Sequence, residues 1–161
     1  MAERIRGRLT EIRAATDADA ELLVRWHDDP EVARYWDGAT FTVDEMLSRL
    51  GRKHVDAFLV EARGAPVGYL QAWRGEGGGC GLDMFLIPSA RGRGYGPDAA
   101  RTLAQHLSDH GWKGLIVDPY LWNERAINAW RRAGFEPVEE RPADDEHTAA
   151  WLLMEFRAGL N

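Results

Sequence analysis

The chain has 161 residues, 45% of them hydrophobic and 29% charged, the make-up of an ordinary globular protein with material for one good core. Its net charge of −6 speaks against nucleic acid as the main partner and for a cationic one. A lone cysteine, Cys80, excludes an internal disulfide and fits a reducing cytoplasm; no apolar run reaches the roughly 18 residues of a membrane span, and the opening MAERIRGRLTEIR lacks the apolar stretch of a secretory signal.

Residues 1–161 read as a single domain, without repeat or linker. The first strand is expected at Leu9–Ala14. Thr16 then stands as an N-cap, with Asp17 and Asp19 in the first helical turn and Leu22, Leu23 and Trp26 on an apolar face. PEVARYW continues as a short helix, and TVDEML opens another with a capping box of Thr42 and Glu45. AFLVEA and VGYLQAW flank RGAP as a hairpin. After the flexible GEGGGCG come the apolar run LDMFLI, a glycine-rich segment and a helix. GLIVD is a short buried strand, NERAINAWRRAGF a helix closed by Gly134, and FEPVEE and TAAWLLMEF two last strands around the acidic turn PADDEH. The order predicts a mixed α/β protein with one βαβ unit at residues 82–118.

The segment RGRGYGPDAARTLAQHL, residues 91–107, carries the chemistry. Gly92, Gly94 and Gly96 alternate just before a helix whose Ala99, Ala100, Leu103, Ala104 and Leu107 share one face. Free amides at a helix N-terminus make a phosphate site, to which Arg91 and Arg93 add charge. Asp98 fits this awkwardly, because its charge would repel an anion. A nucleoside-triphosphate loop is excluded, since no Gly-Lys-Ser/Thr follows. GYGPDA matches the dinucleotide pattern G-x-G-x-x-A, with Asp118 near the place of a ribose-binding acid. Against that reading, PSAR intervenes where a tight turn is needed, and too little chain follows for a second half-sheet. The third reading is coenzyme A, because RGRGYG fits the signature Q/R-x-x-G-x-G/A.

With NERAINAWRRAGF, which resembles N-x-x-A-x-x-x-Y-x-x-x-G-F, the chain resembles the GNAT acetyltransferase superfamily over about its whole length, most strongly at residues 80–136. GLDMFL, GRGYG, DPYLWNERAINAWRRAGFE and ARYWDG are similar to the bacterial aminoglycoside 6'-N-acetyltransferases within it. The resemblance implies a single mixed sheet of about seven strands with flanking helices, splayed between the fourth and fifth. It implies acetyl-CoA as cofactor: the backbone of Met84, Phe85 and Leu86 pairs with the pantetheine arm. Arg91, Gly92, Arg93, Gly94, Tyr95, Gly96 and Asp98 cradle the pyrophosphate, and Asn123, Ala126 and Trp130 flank the thiol end.

Asp83 is a carboxylate inside an apolar strand, costly to bury without a purpose. It matches the family's G-x-D aspartate, which the resemblance makes the general base. Asp118, in VDP, matches an aspartate that contacts the aminoglycoside, although a turn-forming Asp-Pro reads as well. Trp36, Asp37, Tyr69, Gln71, Trp73 and Glu76 are further candidates for the acceptor side, since aromatic walls and carboxylates suit an aminated sugar. Each aromatic reads more readily as a core residue. Trp130 departs from the family tyrosine that protonates the leaving thiolate; water or Tyr120 would have to substitute. His106 and His110 lack the glutamate and third ligand of a zinc site, so no metal is expected.

The expected function is direct acetyl transfer from acetyl-CoA to a primary amine of an aminoglycoside or related amino sugar. The expected setting is cytoplasmic, as a monomer or homodimer, without nucleic acid or membrane. A protein N-terminus or lysine as acceptor, and a catalytically degenerate CoA-binding module, are the alternatives.

Overall fold

The computed structural model describes residues 3–159. Strands β1 (Ile5–Arg6) and β2 (Glu11–Ala14) lead through a short turn of 3-10 helix to α1 (Ala20–Asp28), α2 (Pro30–Ala33) and α3 (Val43–Leu50). The hairpin β3 (Val55–Ala62) and β4 (Ala65–Arg74) follows, then β5 (Cys80–Leu86), α4 (Tyr95–Asp109), β6 (Leu115–Val117), α5 (Glu124–Ala133), β7 (Phe135–Arg141) and β8 (Trp151–Phe156).

Helix ends form where the capping residues stand. Thr42 Oγ1 accepts from the Glu45 amide at 3.1 Å while Glu45 returns a carboxylate to the Thr42 amide at 2.9 Å. At the first helical turn, Asp19 reaches back to the Thr16 amide at 2.8 Å and takes a bidentate Arg13 at 2.9 Å on each oxygen. Helix α2 is shorter than PEVARYW suggests: it gives way to turns, ending at Asp37 and Gly38 with φ of 54° and 72°.

The eight strands form one sheet in the order β1-β2-β3-β4-β5-β6-β8-β7. This is one strand more than expected: the extra strand is Ile5–Arg6, ahead of the expected first strand, which itself begins at Glu11 rather than Leu9. Ile5 and Arg6 fold back on Ile12 and Glu11, and Leu9 sits exposed in the turn between them. Along β3, Leu59 and Val60 are both fully buried on opposite faces, as strand alternation requires when helices cover both sides. One core joins Val60, Leu70 and Leu82 to α4 and α5 through Leu103 and Ala133. The other joins Leu59, Tyr69 and Phe85 to the first three helices through Leu23, Val32 and Met46.

All neighbours in the sheet are antiparallel except β5 and β6. Those two are parallel and pair only at Cys80 with Leu115 and Gly81 with Ile116. Beyond Gly81, β5 stays on β4 while β6 stays on β8, so the sheet splits into a V. The expected splay is this divergence.

Candidate active site

A cavity of about 590 Å³ occupies the V, within the range of small-molecule sites. One end is built of main chain. Gly92 and Gly94 have φ of 77° and 83°, a left-handed conformation that folds the loop under the start of α4. A Cβ on Gly96 would stand 3.4 Å from Met84 Cε, so this glycine lets the helix start lie close on β5. Among the described residues, the amides of Gly92, Arg93, Gly94, Tyr95 and Gly96 find no backbone or side-chain acceptor. They converge with the positive end of the α4 dipole.

Strand β5 forms the adjoining wall. The Ile87 amide donates to Val67 O on the β4 side at 2.9 Å. Alternation along an antiparallel strand therefore turns the amides of Met84 and Leu86 toward the cavity. Arg91 Nε accordingly reaches Leu86 O from that side, at 3.2 Å. Asn123 Oδ1 caps α5 at the Ala126 amide, at 3.2 Å, and Ala126 and Trp130 face the cavity from this helix. Trp130 is otherwise buried, edge-on to Phe135 at 5.3 Å.

Two sequence-predicted donor-side residues do other work. Asp98 accepts from the amides of Arg8, Leu9 and Thr10 and from Thr10 Oγ1, at 2.8–3.1 Å. Its carboxylate faces the β1–β2 turn rather than the glycine loop, which removes the electrostatic conflict. The Arg91 guanidinium bonds Leu86 O and Glu31 O and lies 5.1 Å over the Tyr35 ring, so it ties α2 to the loop as well as bordering the cavity. Arg93 is exposed and outside the cavity lining.

The other end is built of side chains. Asp83 stands directly opposite Gln71 across β4 and β5, and Gln71 Nε2 donates to its Oδ2 at 2.9 Å. Gln71 Oε1 in turn accepts from Tyr69 Oη at 2.7 Å and Arg52 Nη2 at 3.3 Å. Burial pushes the Tyr69 phenol up to about 12, which keeps it a donor. Tyr69 and Gln71 were expected to touch an acceptor; Gln71 lines the cavity and also braces Asp83, whereas Tyr69 lies outside the cavity and supports Gln71 from behind. Burial, followed by the charge of Asp118, pushes the Asp83 carboxyl up to about 6.

Asp118 begins the loop after β6, where its Oδ2 lies 2.7 Å from His147 Nε2. His147 Nδ1 lies 2.8 Å from Asp144 Oδ1, and the ring stacks on Trp151 at 4.1 Å. Trp36 and Asp37 line the cavity opposite, and Asp37 Oδ1 accepts from Tyr120 Oη at 2.9 Å. Trp73 and Glu76 do not line it: the β4–β5 turn lies beyond the paired, closed end of the V. His147 went unread in the sequence and Asp144 was read only as part of a solvated acidic turn, although a histidine directly after DDE was a signal for a histidine–carboxylate contact.

A strand-loop-helix with free amides, beside a parallel pair that parts after two residues, is the architecture this chain shares with a known family. The family model for an acetyltransferase (GNAT) domain matches residues 15–142. The chain belongs to the GNAT acetyltransferases. Among GNAT relatives, the aminoglycoside N(6')-acetyltransferase type 1 of Klebsiella pneumoniae is 26% identical over 146 residues, covering 78% of this chain and 73% of the relative. The Serratia marcescens enzyme of the same name matches equally. The solved GNAT structure of AAC(6')-Ib with paromomycin and acetyl-CoA superposes with a TM-score of 0.80 at 25% identity, over 92% of this chain and 93% of that one. RimL, a ribosomal L7/L12 α-N-protein acetyltransferase solved with coenzyme A, gives 0.83 at 14% identity over 99% and 100%, a likeness of fold alone.

Proposed function

We propose that this GNAT protein transfers acetyl from acetyl-CoA to a primary amine of an aminoglycoside or related amino sugar. Residues 1–161 then act as one domain, as a monomer or homodimer, in the cytoplasm where acetyl-CoA is made and Cys80 stays reduced. The observation that carries the reading is Asp83. It is a carboxylate at the cavity wall, braced by Gln71 and raised to about 6, between the donor amides and a second carboxylate, Asp118.

The residues present fit coenzyme A. The amides from Gly92 to Gly96 suit a pyrophosphate, and the unpaired edge of β5 at Met84 and Leu86 suits the amides of a pantetheine arm. Bound acetyl-CoA supplies a thioester carbonyl open to attack by an amine. Asp83 and Asp118 draw a cationic acceptor in as its ammonium form, and Asp83, ionised at neutral pH, accepts the proton that must leave before nitrogen can attack. An inward β5 amide is placed to hold the carbonyl oxygen as negative charge builds on it. Trp130 has no acidic proton to give the departing thiolate, whose pKa of about 8.5 lets it leave unaided. Tyr120 directs its hydroxyl to Asp37.

The amino-sugar reading over a protein acceptor is supported by the 26% identical relatives and by the Tyr120–Asp37 contact, which spans from the β6–α5 loop to the α2 loop and narrows the acceptor end. The test is thiol release from acetyl-CoA with kanamycin, tobramycin and a panel of N-terminal peptides. Release with the aminoglycosides supports the proposal. Release only with peptides moves the enzyme to protein acceptors, and tight CoA binding with no turnover leaves a CoA-binding module.

A further inference from the structure

Both ring nitrogens of His147 face carboxylates: Nε2 is 2.7 Å from Asp118 Oδ2 and Nδ1 is 2.8 Å from Asp144 Oδ1. An ionised carboxylate only accepts hydrogen bonds, and a neutral imidazole has one N–H. Satisfying both contacts takes one more proton. The ring is by far the more basic partner, so it holds that proton as an imidazolium.

The surroundings hold the ring in this state. His147 is only 8% exposed, stacked at 13° on Trp151, with Tyr120 edge-on at 6.0 Å. Asp144 is itself fixed by the Trp151 indole N–H at 3.2 Å and by the Glu146 amide at 3.0 Å. The charged and titratable groups around the ring are Asp118 after β6, Asp144 and Glu146 on its own turn, and Tyr120 on the β6–α5 loop. Arg141 lies 5.5 Å over Trp151, and the buried Asp83 on β5 is within electrostatic reach. Burial opposes the imidazolium, but the two carboxylate hydrogen bonds outweigh it and the pKa of His147 is raised.

Asp118 is therefore not a free carboxylate. One oxygen carries a cation already, and a substrate ammonium arriving there meets a like charge at close range, which is relieved when the ring proton leaves to solvent. On the amino-sugar reading above, we propose that His147 is a specificity-determining residue. Its imidazolium holds the place of a second substrate ammonium on Asp118. An acceptor with a single ammonium at Asp83 then binds without proton exchange, whereas a polyamine that also engages Asp118 expels one proton.

Binding that releases one proton strengthens with pH by at most about tenfold per unit while the ring remains charged. The expected result is that the KM ratio of a monoamine sugar to kanamycin rises with pH, and that it is flat in His147→Gln. The ring itself is read by nitrogen-15 NMR of the whole chain, assigned by its loss in His147→Gln, without any turnover. Both nitrogens protonated at pH 7, changing to the neutral pattern on adding kanamycin with CoA, supports the proposal. A neutral ring at pH 7, a ring unmoved by bound kanamycin, or a KM ratio whose pH dependence survives in His147→Gln overturns it. Asp144→Asn keeps the ring and weakens one partner, so its titration should move to lower pH even if the glutamine variant folds poorly. If no amine is acetylated, the amino-sugar reading fails, while the NMR titration with kanamycin still decides the role of His147.

Discussion

The donor end of the cavity is made of backbone drawn from one short run, residues 91–96, together with the edge of β5. The acceptor end is made of side chains from the α2 loop, β4, β5, the β6–α5 loop and the β7–β8 turn. Backbone amides present the same donors whatever the side chains are, so the donor end suits a ligand common to many enzymes. Carboxylates held by hydrogen bonds from other segments make the acceptor end depend on single side chains: Gln71 holds Asp83, His147 holds Asp118 and Tyr120 holds Asp37. The first end tolerates surface change and is sensitive to φ; the second is sensitive to single charges.

The largest separation of the two ends should come from Asp83→Asn. If Asp83 acts as the proposed base, its loss should cost about 10²–10⁴ in kcat/KM with the Kd for CoA unchanged, measured by thiol release and calorimetry. The same variant should gain stability. An acid raised from 3.8 to about 6 on folding holds its proton more tightly in the folded state, so folding loses stability as pH climbs between those values, and the penalty is complete above about pH 6. Asparagine removes it, which predicts a gain on the order of 2 kcal/mol at pH 7 and none below pH 4, read by urea unfolding. In the wild-type enzyme kcat/KM should fall on the acid side with an apparent pKa near 6.

Gly94→Ala should act at the opposite end. Forcing a side chain to φ 83° costs about 1–2 kcal/mol and displaces the loop, so CoA affinity should drop about tenfold while the acid limb stays in place. An unchanged Kd would remove the loop from the donor site. Asp98→Ala separates structure from site within the same helix. It strips the acceptor from three amides and a hydroxyl of the β1–β2 turn, and should cost about 2 kcal/mol of stability with CoA affinity unchanged. Weaker CoA binding beyond that explained by unfolding would return Asp98 to the site. Smallest of all is Glu76→Gln: at the closed end of the V, it should alter no kinetic constant.

Reading along the chain works where the determinants are neighbours in sequence. Glycines at 92 and 94, a helix close behind them, a capping box at Thr42 and Glu45, and a carboxylate alone in an apolar strand are statements about a few consecutive residues. Asp98 was misjudged within that same run because the amides it serves, at residues 8–10, lie some 90 positions away. Tyr69 and Gln71 were legible as polar groups near the site. That Gln71 also braces Asp83, with Tyr69 behind it outside the cavity, depends on the register placing Gln71 against Asp83 across β4 and β5. The strand at Ile5–Arg6 was too short to show any period.

By itself, then, the sequence determined the succession of strands and helices apart from Ile5–Arg6, the glycine turn before α4 and the carboxylate set alone in an apolar strand, since backbone dihedrals and alternation are settled locally. Tertiary structure alone decided where β5 leaves β6, which opens the cavity, and that His147, beside Asp144 on its own turn, also meets Asp118. The physical reason is that a group's charge state and hydrogen-bond partners belong to its surroundings. Here those surroundings are brought together by the pairing of segments 29 and more residues apart.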